Sequence, residues 1–224
     1  MDNFGIYIEG MIMEKDEPLI LDEIANAVTH GFGVVLSIAG LVLMIVYSAL
    51  NGNAWHVVSS SIFGSTMIFL YLASTLYHSS KTEKAKHFFK ILDHSFIYIL
   101  IAGTYTPFTL VTLNGPLGWT LFGIIWGLAV AGVIFKFYFV HRFKILSTVI
   151  YLLMGWLIIF AIGPLLDNLQ IGGVYWLIGG GLSYTLGVVF YVWHKLPFNH
   201  SIWHLFVLGG TVCHFFAVFY YVIP

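Results

Sequence analysis

Seven long apolar segments alternate with short polar stretches along this chain. Each segment approaches the ~20 mostly apolar residues that a helix needs to cross the hydrocarbon core of a membrane. Turn-forming residues, such as Asn51-Gly52-Asn53 and Asn114-Gly115-Pro116, end two of the segments. We therefore expect an all-α integral membrane protein that forms a seven-transmembrane helix bundle. The pattern predicts spanning helices over residues 28–49, 55–77, 92–112, 117–138, 146–164, 172–193 and 201–222.

The composition favours a membrane location. Of the 224 residues, 59% are hydrophobic and only 8% are charged, whereas about 25% of the residues in a soluble domain are charged. The net charge of −1 argues against nucleic acid as a partner, so membrane lipids are the partners that we expect, with a protein partner left open. The single cysteine, Cys213, excludes an intrachain disulfide and a zinc site made of thiolates.

All nine lysines and arginines fall on one predicted side of the membrane, in or next to the N-terminal segment and the loops after the second, fourth and sixth helices. The positive-inside rule then predicts a cytoplasmic N-terminus, and an odd number of helices places the C-terminus outside. We divide the chain into an acidic cytoplasmic N-terminal segment, residues 1–27, and a seven-helix transmembrane domain, residues 28–224. Pro18 is suited to start a short interfacial helix. The expected location is a cell membrane.

Ionisable residues from distant stretches fall at the same predicted cytoplasmic end. His200 and His204 begin the seventh segment, His78 ends the second, and Asp93 begins the third. Residues four apart on a helix share one face, with Cβ atoms ~5–6 Å apart, so His200 and His204 are able to bind one metal ion. Three histidines with an open position are typical of catalytic zinc. We therefore predict a Zn²⁺ site whose ligands are His78, His200 and His204.

Asp93 and Ser74 are the candidate catalytic residues. Asp93 is able to act as a fourth ligand, or instead to hold the zinc-bound water and serve as general base. Ser74 precedes His78 by four residues and shares its helix face, from which it could hydrogen-bond a neighbouring group or the reacting oxyanion. At the cytoplasmic edge of a bilayer, the natural substrates are lipid amides or esters, whose head groups lie at that level.

Glu23, Asn26 and His30 approach the same end, and their spacing places them on one helical face. Two interpretations stay open for them: a hydrogen-bonded cluster that closes the bundle, or an accessory part of the site. For the other histidines we favour packing and hydrogen-bonding roles. His214, for example, is rotated about 80° from His204 on an ideal helix and is expected to miss the site. The remaining histidines in this group are His56, His87, His94, His141 and His194.

The same residues carry a resemblance to a known superfamily. The stretch from Glu23 through Asn26 to His30, the Ser74-x-x-x-His78 motif with Asp93-His94-Ser95, and His200-x-x-x-His204 resemble, in order, three motifs of the progestin and adipoQ receptor superfamily. Within it, the chain resembles the bacterial hemolysin III branch, which implies a bacterial plasma membrane as the location. Resemblance to the adiponectin receptors implies seven helices with the N-terminus inside, and zinc held by the three histidines with Asp93 near a bound water. Similarity to the alkaline ceramidases implies hydrolysis of a lipid amide.

Three functions of different classes follow from these observations. The leading hypothesis is a zinc-dependent integral membrane hydrolase of a lipid amide or ester, ceramidase-like, that contributes to membrane-lipid homeostasis. The second is a non-enzymatic sensor or regulator of the membrane, in which zinc staples the second and seventh helices. The third is a hemolysin-like lytic or pore-forming protein. It ranks last because the polar residues are crowded at one end instead of being spaced across the membrane.

Overall fold

A computed structural model describes residues 20–224 of the chain. Within that range the chain is helical, without strands, and seven helices are long and apolar enough to cross a membrane. The predicted seven-helix bundle is confirmed, whereas the side of the membrane that each terminus occupies stays a prediction. In chain order the helices are α1 (Ile20–Asn51), α2 (Ala54–Ser79), α3 (Glu83–Thr112), α4 (Pro116–Phe139), α5 (Lys144–Asn168), α6 (Ile171–Val192) and α7 (Asn199–Tyr221).

Two helices, α1 and α3, begin about two turns before their predicted positions. Helix α1 is helical from Ile20, the first described residue, so the first motif lies on a continuous helix. Helix α3 begins at Glu83, where the Thr82 hydroxyl accepts a hydrogen bond of 3.3 Å from Ala85 N. Asp93 therefore lies inside α3 and not at its start. The prediction from apolar segments did not include these first turns, because they carry charged residues and therefore do not count as part of an apolar span.

Residues 1–19, including Pro18 and most of the acidic segment, lie outside the described residues. The division of the chain at residue 27 therefore stays a prediction. In the described part, the lysines gather where α1, α3, α5 and α7 begin and where α2, α4 and α6 end. We call this the lysine-rich end of the bundle.

Helix α5 changes its winding in the middle of the bundle. It tightens into a 3-10 helix over Leu157–Ala161. The Tyr105 hydroxyl of α3 satisfies the backbone there, accepting a hydrogen bond of 2.8 Å from Ile158 N and lying 2.9 Å from the carbonyl oxygens of Met154 and Gly155. Irregular backbone inside a membrane requires such partners, because lipid supplies none. The irregular turn borders the internal cavity described below.

Helices α6 and α7 approach each other closely through small residues. A Cβ on Gly180 would lie 3.0 Å from the carbonyl oxygen of Gly210 and would overlap the ring of His214. At the next residue of α6, a Cβ on Gly181 would lie 3.2 Å from the Trp156 ring of α5. These glycines of α6 therefore permit close helix contact. This contact sets the distance from α6 to α7, which carries two of the candidate ligands.

Candidate metal centre

Three histidines meet at the lysine-rich end of the bundle. His78, near the end of α2, and His200 and His204, in the first turns of α7, each present one ring nitrogen, and these nitrogens lie within 4.8 Å of one another. Small rotations of the rings bring such nitrogens to the ~2.0–2.1 Å from a common ion that zinc requires. We call these residues the histidine triad. The structure brings the triad together, and its role in metal binding stays a prediction.

The contacts of His78 suit a metal ligand. Its Nδ1 lies 2.5 Å from Oε2 of Glu23, and Oε1 of Glu23 accepts a hydrogen bond of 2.8 Å from Nζ of Lys86. A neutral ring that donates its Nδ1 proton to this carboxylate keeps a lone pair on Nε2. Nε2 is buried and has no hydrogen-bond partner within residues 20–224. A carboxylate behind an imidazole is the usual support of a metal-binding histidine, so this residue fits a metal ion.

His204 is held from α1 in a similar way. Its Nδ1 lies 3.3 Å from the carbonyl oxygen of Asn26 and 3.2 Å from Oγ1 of Thr29. The Thr29 hydroxyl donates to backbone carbonyls of α1 at 2.9 Å and therefore acts as an acceptor towards the ring. Both neighbours favour the proton on Nδ1, which leaves the Nε2 lone pair free for a metal. The side chain of Asn26 is itself held, because Ser201 Oγ donates to its Oδ1 at 2.5 Å.

His30 packs directly against the triad. Its ring stacks on that of His204 with centroids 3.5 Å apart and planes 10° apart, and it meets Tyr71 edge-on at 5.0 Å. Glu23, Asn26 and His30 therefore each contact a histidine of the triad. These contacts favour the accessory interpretation of the three residues over the interpretation as a cluster that only closes the bundle.

Asp93 and Ser74 lie beside the triad. Asp93 is 7% exposed and its Oδ2 is 3.5 Å from Nδ1 of His94, whose ring donates to the carbonyl oxygen of Lys90 at 2.9 Å. Ser74 is fully buried near the Asp93 carboxylate, and its Oγ makes no hydrogen bond in the described part of the chain. A weakly bonded carboxylate and an unpartnered hydroxyl are free to bind water or substrate. Their catalytic roles stay predictions.

An internal cavity of about 290 Å³ extends from the triad between α3, α5, α6 and α7. Near the lysine-rich end its walls carry polar and charged side chains. Farther along the bundle the walls are mainly aliphatic and aromatic. The polar lining includes Asp93, His94, Lys136, Lys144, His200 and His204, and the apolar lining includes Leu100, Phe108, Leu152, Ile158, Leu177 and Val207. The cavity thus has the polarity profile of an amphiphile, with one polar end and apolar walls.

A second pocket, of about 1260 Å³ and more open to the surface, is lined by His78. Its lining is richer in charged groups, including Glu23, Lys86 and Lys90. The triad therefore borders both regions: His200 and His204 line the first cavity, and His78 lines the second.

Two histidines outside the triad make hydrogen bonds away from it, and the structural roles of the others stay predictions. His56 caps α2, where its Nδ1 accepts a hydrogen bond of 3.2 Å from Asn53 N. His214 lines the cavity, but its Nε2 is 3.3 Å from the carbonyl oxygen of Leu177 and it is not part of the triad. Sequence reasoning missed the support that Thr29, Ser201 and Lys86 give. Thr29 lies inside the first motif, but its partner His204 is 175 residues away, so no local pattern reveals the contact.

Comparison with known proteins identifies the family. The chain matches the family model described as Haemolysin-III related over residues 19–215. It is 54% identical over 212 residues to Hemolysin-3 of Bacillus cereus, covering 95% of this chain and 97% of that protein. It is also 54% identical over 202 residues to the Hemolysin-3 homolog of Bacillus subtilis, covering 90% and 95%. Identity to the human monocyte to macrophage differentiation factor is 31% over 211 residues, covering 92% and 86%.

The chain belongs to the haemolysin-III related family and is related to the progestin and adipoQ receptor proteins, as the three motifs predicted. Together with the seven apolar helices, this establishes a multi-pass membrane protein.

Proposed function

We propose that the protein is a zinc-dependent hydrolase of a lipid amide or ester at the cytoplasmic edge of a bacterial plasma membrane, and that it contributes to membrane-lipid homeostasis. One observation carries the proposal. Asp93 and two histidines of the triad line the polar end of a cavity whose remaining walls are apolar. A reactive group beside an apolar cavity suits a lipid whose carbonyl lies next to its acyl chain.

Bound zinc would polarise the carbonyl group and lower the pKa of a water molecule towards ~7. His78, His200 and His204 would hold the ion. Glu23 keeps the Nδ1 proton of His78 pointing away from the site, and Asn26 does the same for His204. These contacts orient the rings before the ion arrives, which reduces the entropy lost on binding.

In this mechanism, Asp93 would accept a proton from the attacking water and return it to the leaving amine or alkoxide. General acid–base catalysis of this kind requires a carboxylate within hydrogen-bond reach of water, and in the described residues Asp93 is the carboxylate that lines the cavity. Ser74, whose Oγ lies close to the Asp93 carboxylate, would turn its hydroxyl to donate a hydrogen bond to the carbonyl oxygen of the substrate.

The acyl chain would occupy the apolar part of the cavity. Moving a chain from the bilayer into this cavity exchanges one apolar environment for another, so it contributes little to affinity. The cavity walls instead exclude water from the reacting carbonyl, and the polar end has to supply most of the recognition.

A second candidate function is a sensor or regulator in which the metal staples α2 to α7. The observation that favours it is that the triad joins two helices that are distant in sequence. In that case metal binding stabilises the bundle but no lipid is consumed.

The two candidates are separated by measuring metal and turnover on the same protein. Wild-type and Asp93→Asn proteins are purified in lipid nanodiscs, analysed for zinc, and incubated with a labelled ceramide and a labelled lysophospholipid. We expect equimolar zinc in both proteins and release of fatty acid by the wild type alone. Zinc without release from either lipid would favour the sensor, and a wild type without zinc would contradict both candidates.

A further inference from the structure

A buried lysine faces the cavity next to the candidate metal centre. Lys136, one turn before the end of α4, is 1% exposed, and it lines the cavity together with Lys144, Asp93 and His200. Within residues 20–224, neither lysine forms a salt bridge or a side-chain hydrogen bond. Charged groups inside membrane proteins are costly and usually have partners or functions. No group in the described part of the chain therefore explains why Lys136 is buried.

Two further lysines lie close to Lys136. The charges of Lys90 and Lys144 are close enough to repel that of Lys136. Lys90 itself contacts a neutral acceptor, the ring of His141, at 3.4 Å. In the described part of the chain, Asp93 is the only acid in the cavity lining. The cavity lining in the described residues therefore carries two ammonium groups, those of Lys136 and Lys144, and one carboxylate. This excess of positive charge, to which the nearby Lys90 adds, favours an anion.

The position of the lysines narrows the class of anion. Lysine ammonium groups bind phosphate as point charges, and basic pockets between membrane helices are suited to phosphorylated lipid head groups. Lys136 lines the same cavity as the apolar residues Leu152, Ile158 and Val207. An anion held there can be continuous with an acyl chain in the same cavity.

We propose that Lys136, with Lys144, forms a subsite for a phosphate-type anion beside the histidine triad, and that Lys90 adds positive charge from nearby. The expected source of the phosphate is a lipid head group, so the substrate class of the hydrolase becomes a lipid with an anionic phosphate close to its carbonyl group. This substrate assignment rests on the proposed function, whereas the anion subsite does not depend on catalysis.

The test measures binding of lipids that cannot be hydrolysed. An ether-linked lysophosphatidic acid and the matching alkyl glycerol share chain and backbone and differ in the phosphate. Their binding to the zinc-loaded protein in detergent can be followed by tryptophan fluorescence, since Trp156 and Trp203 line the cavity. We expect the phosphate lipid to bind about tenfold more tightly or better, as for hydrogen bonds to charged groups.

Lys136→Gln is expected to remove this preference and to leave the affinity for the alkyl glycerol unchanged. Lys195→Gln is the matched control, because Lys195 is exposed in the loop between α6 and α7 and does not line the cavity. Lys136→Arg keeps the charge and is expected to retain the preference. Zinc content and thermal stability are measured for each variant, and Lys144→Gln tests the same subsite if Lys136→Gln does not fold.

Equal binding of the two lipids by the wild type would overturn the proposal. So would an equal loss of both in Lys136→Gln, because the lysine would then serve only to pack the cavity wall. Inorganic phosphate is tested as a competitor, and binding as tight as that of the lipid would overturn the assignment to a head group in favour of free phosphate. Since neither ether ligand can be cleaved, these results do not depend on whether the protein hydrolyses lipids.

Discussion

Two groups of histidines lie at the lysine-rich end of this bundle, and only one of them suits a metal ion. The triad is enclosed between α1, α2 and α7, whereas His87 and His141 lie exposed at the surface. In the exposed pair, Nδ1 of His87 lies 2.9 Å from Nε2 of His141, and Nδ1 of His141 lies 3.4 Å from Nζ of Lys90. The ring lone pairs of these two residues therefore accept hydrogen bonds, and the nearby Lys90 ammonium group repels metal ions.

The contrast shows that closeness of imidazole rings does not make a metal site. In the triad, acceptors on α1 hold the Nδ1 atoms of His78 and His204, which directs their Nε2 lone pairs inwards. The His78 Nε2 is buried without a protein partner in the described residues, so a metal ion is what would satisfy it. Burial and directed lone pairs therefore distinguish the triad from the pair. Four predictions test this difference, in order of decreasing effect.

Removing one ligand of the triad is expected to have the largest effect. His204→Ala leaves two imidazoles, which cannot retain an ion that needs three protein ligands. We expect the purified variant to lose the equimolar zinc of the wild type in elemental analysis, while His141→Ala keeps it. Zinc retained by His204→Ala and lost from His141→Ala would reverse the comparison.

Asp93→Asn is expected to separate chemistry from metal binding. The amide cannot accept the proton of the attacking water, so hydrolysis of the labelled lipid falls by about 10²–10⁴-fold, the usual contribution of general base catalysis. Zinc content stays equimolar, because the three histidines remain. Asp167→Asn, at an exposed position near the end of α5, is the control and keeps full turnover. Unchanged turnover in Asp93→Asn would contradict the mechanism.

Glu23→Gln is expected to have a smaller effect on the metal. The amide oxygen still accepts a hydrogen bond from His78 but no longer carries the charge that raises the basicity of the ring. We expect zinc affinity to fall by about 10–100-fold in competition with a chelator of known affinity. Glu83→Gln, an exposed acid at the start of α3, is the matched control. Equal affinities in both variants would show that Glu23 does not support the triad.

The thermal stability of the protein is expected to depend only weakly on the protonation of the exposed pair. Although His141 is exposed, the part of its ring that is shielded from water, together with the charges of Lys90, His87 and Lys144, lowers its pKa. The unfolded chain then takes up the proton first, so the contribution of His141 to stability is present above pH ~6.5 and is lost as the pH falls. Between pH 7.5 and 5.5, the wild type should lose no more than about 2 °C of thermal stability beyond His141→Gln.

This response is read from thermal unfolding of the two proteins in the same detergent at each pH. A larger acid loss in His141→Gln than in the wild type would reverse the predicted sign. A change in zinc content in this variant would show that the exposed pair contributes to the metal site.

The fold was largely predictable because a membrane helix satisfies its own backbone and has to be long and apolar. The same rule did not predict the first turns of α3, because they carry charged residues. The irregular turn of α5 also escaped it, since the Tyr105 hydroxyl that stabilises the turn comes from another helix. For the site, the His200–His204 spacing is a local signal, and the meeting with His78 follows from the alternation of helix directions. The Thr29–His204 contact has no such signal.

The sequence by itself determined how many helices cross the membrane, at which end the ionisable residues gather, and that His200 and His204 share a face. These properties depend only on hydropathy, on the alternation of helix directions and on the period of the helix. Only the tertiary structure decided that Glu23 holds His78, that His30 stacks on His204, and that Lys136 faces the cavity. Such contacts depend on the rotation of each helix about its axis, which packing against its neighbours sets.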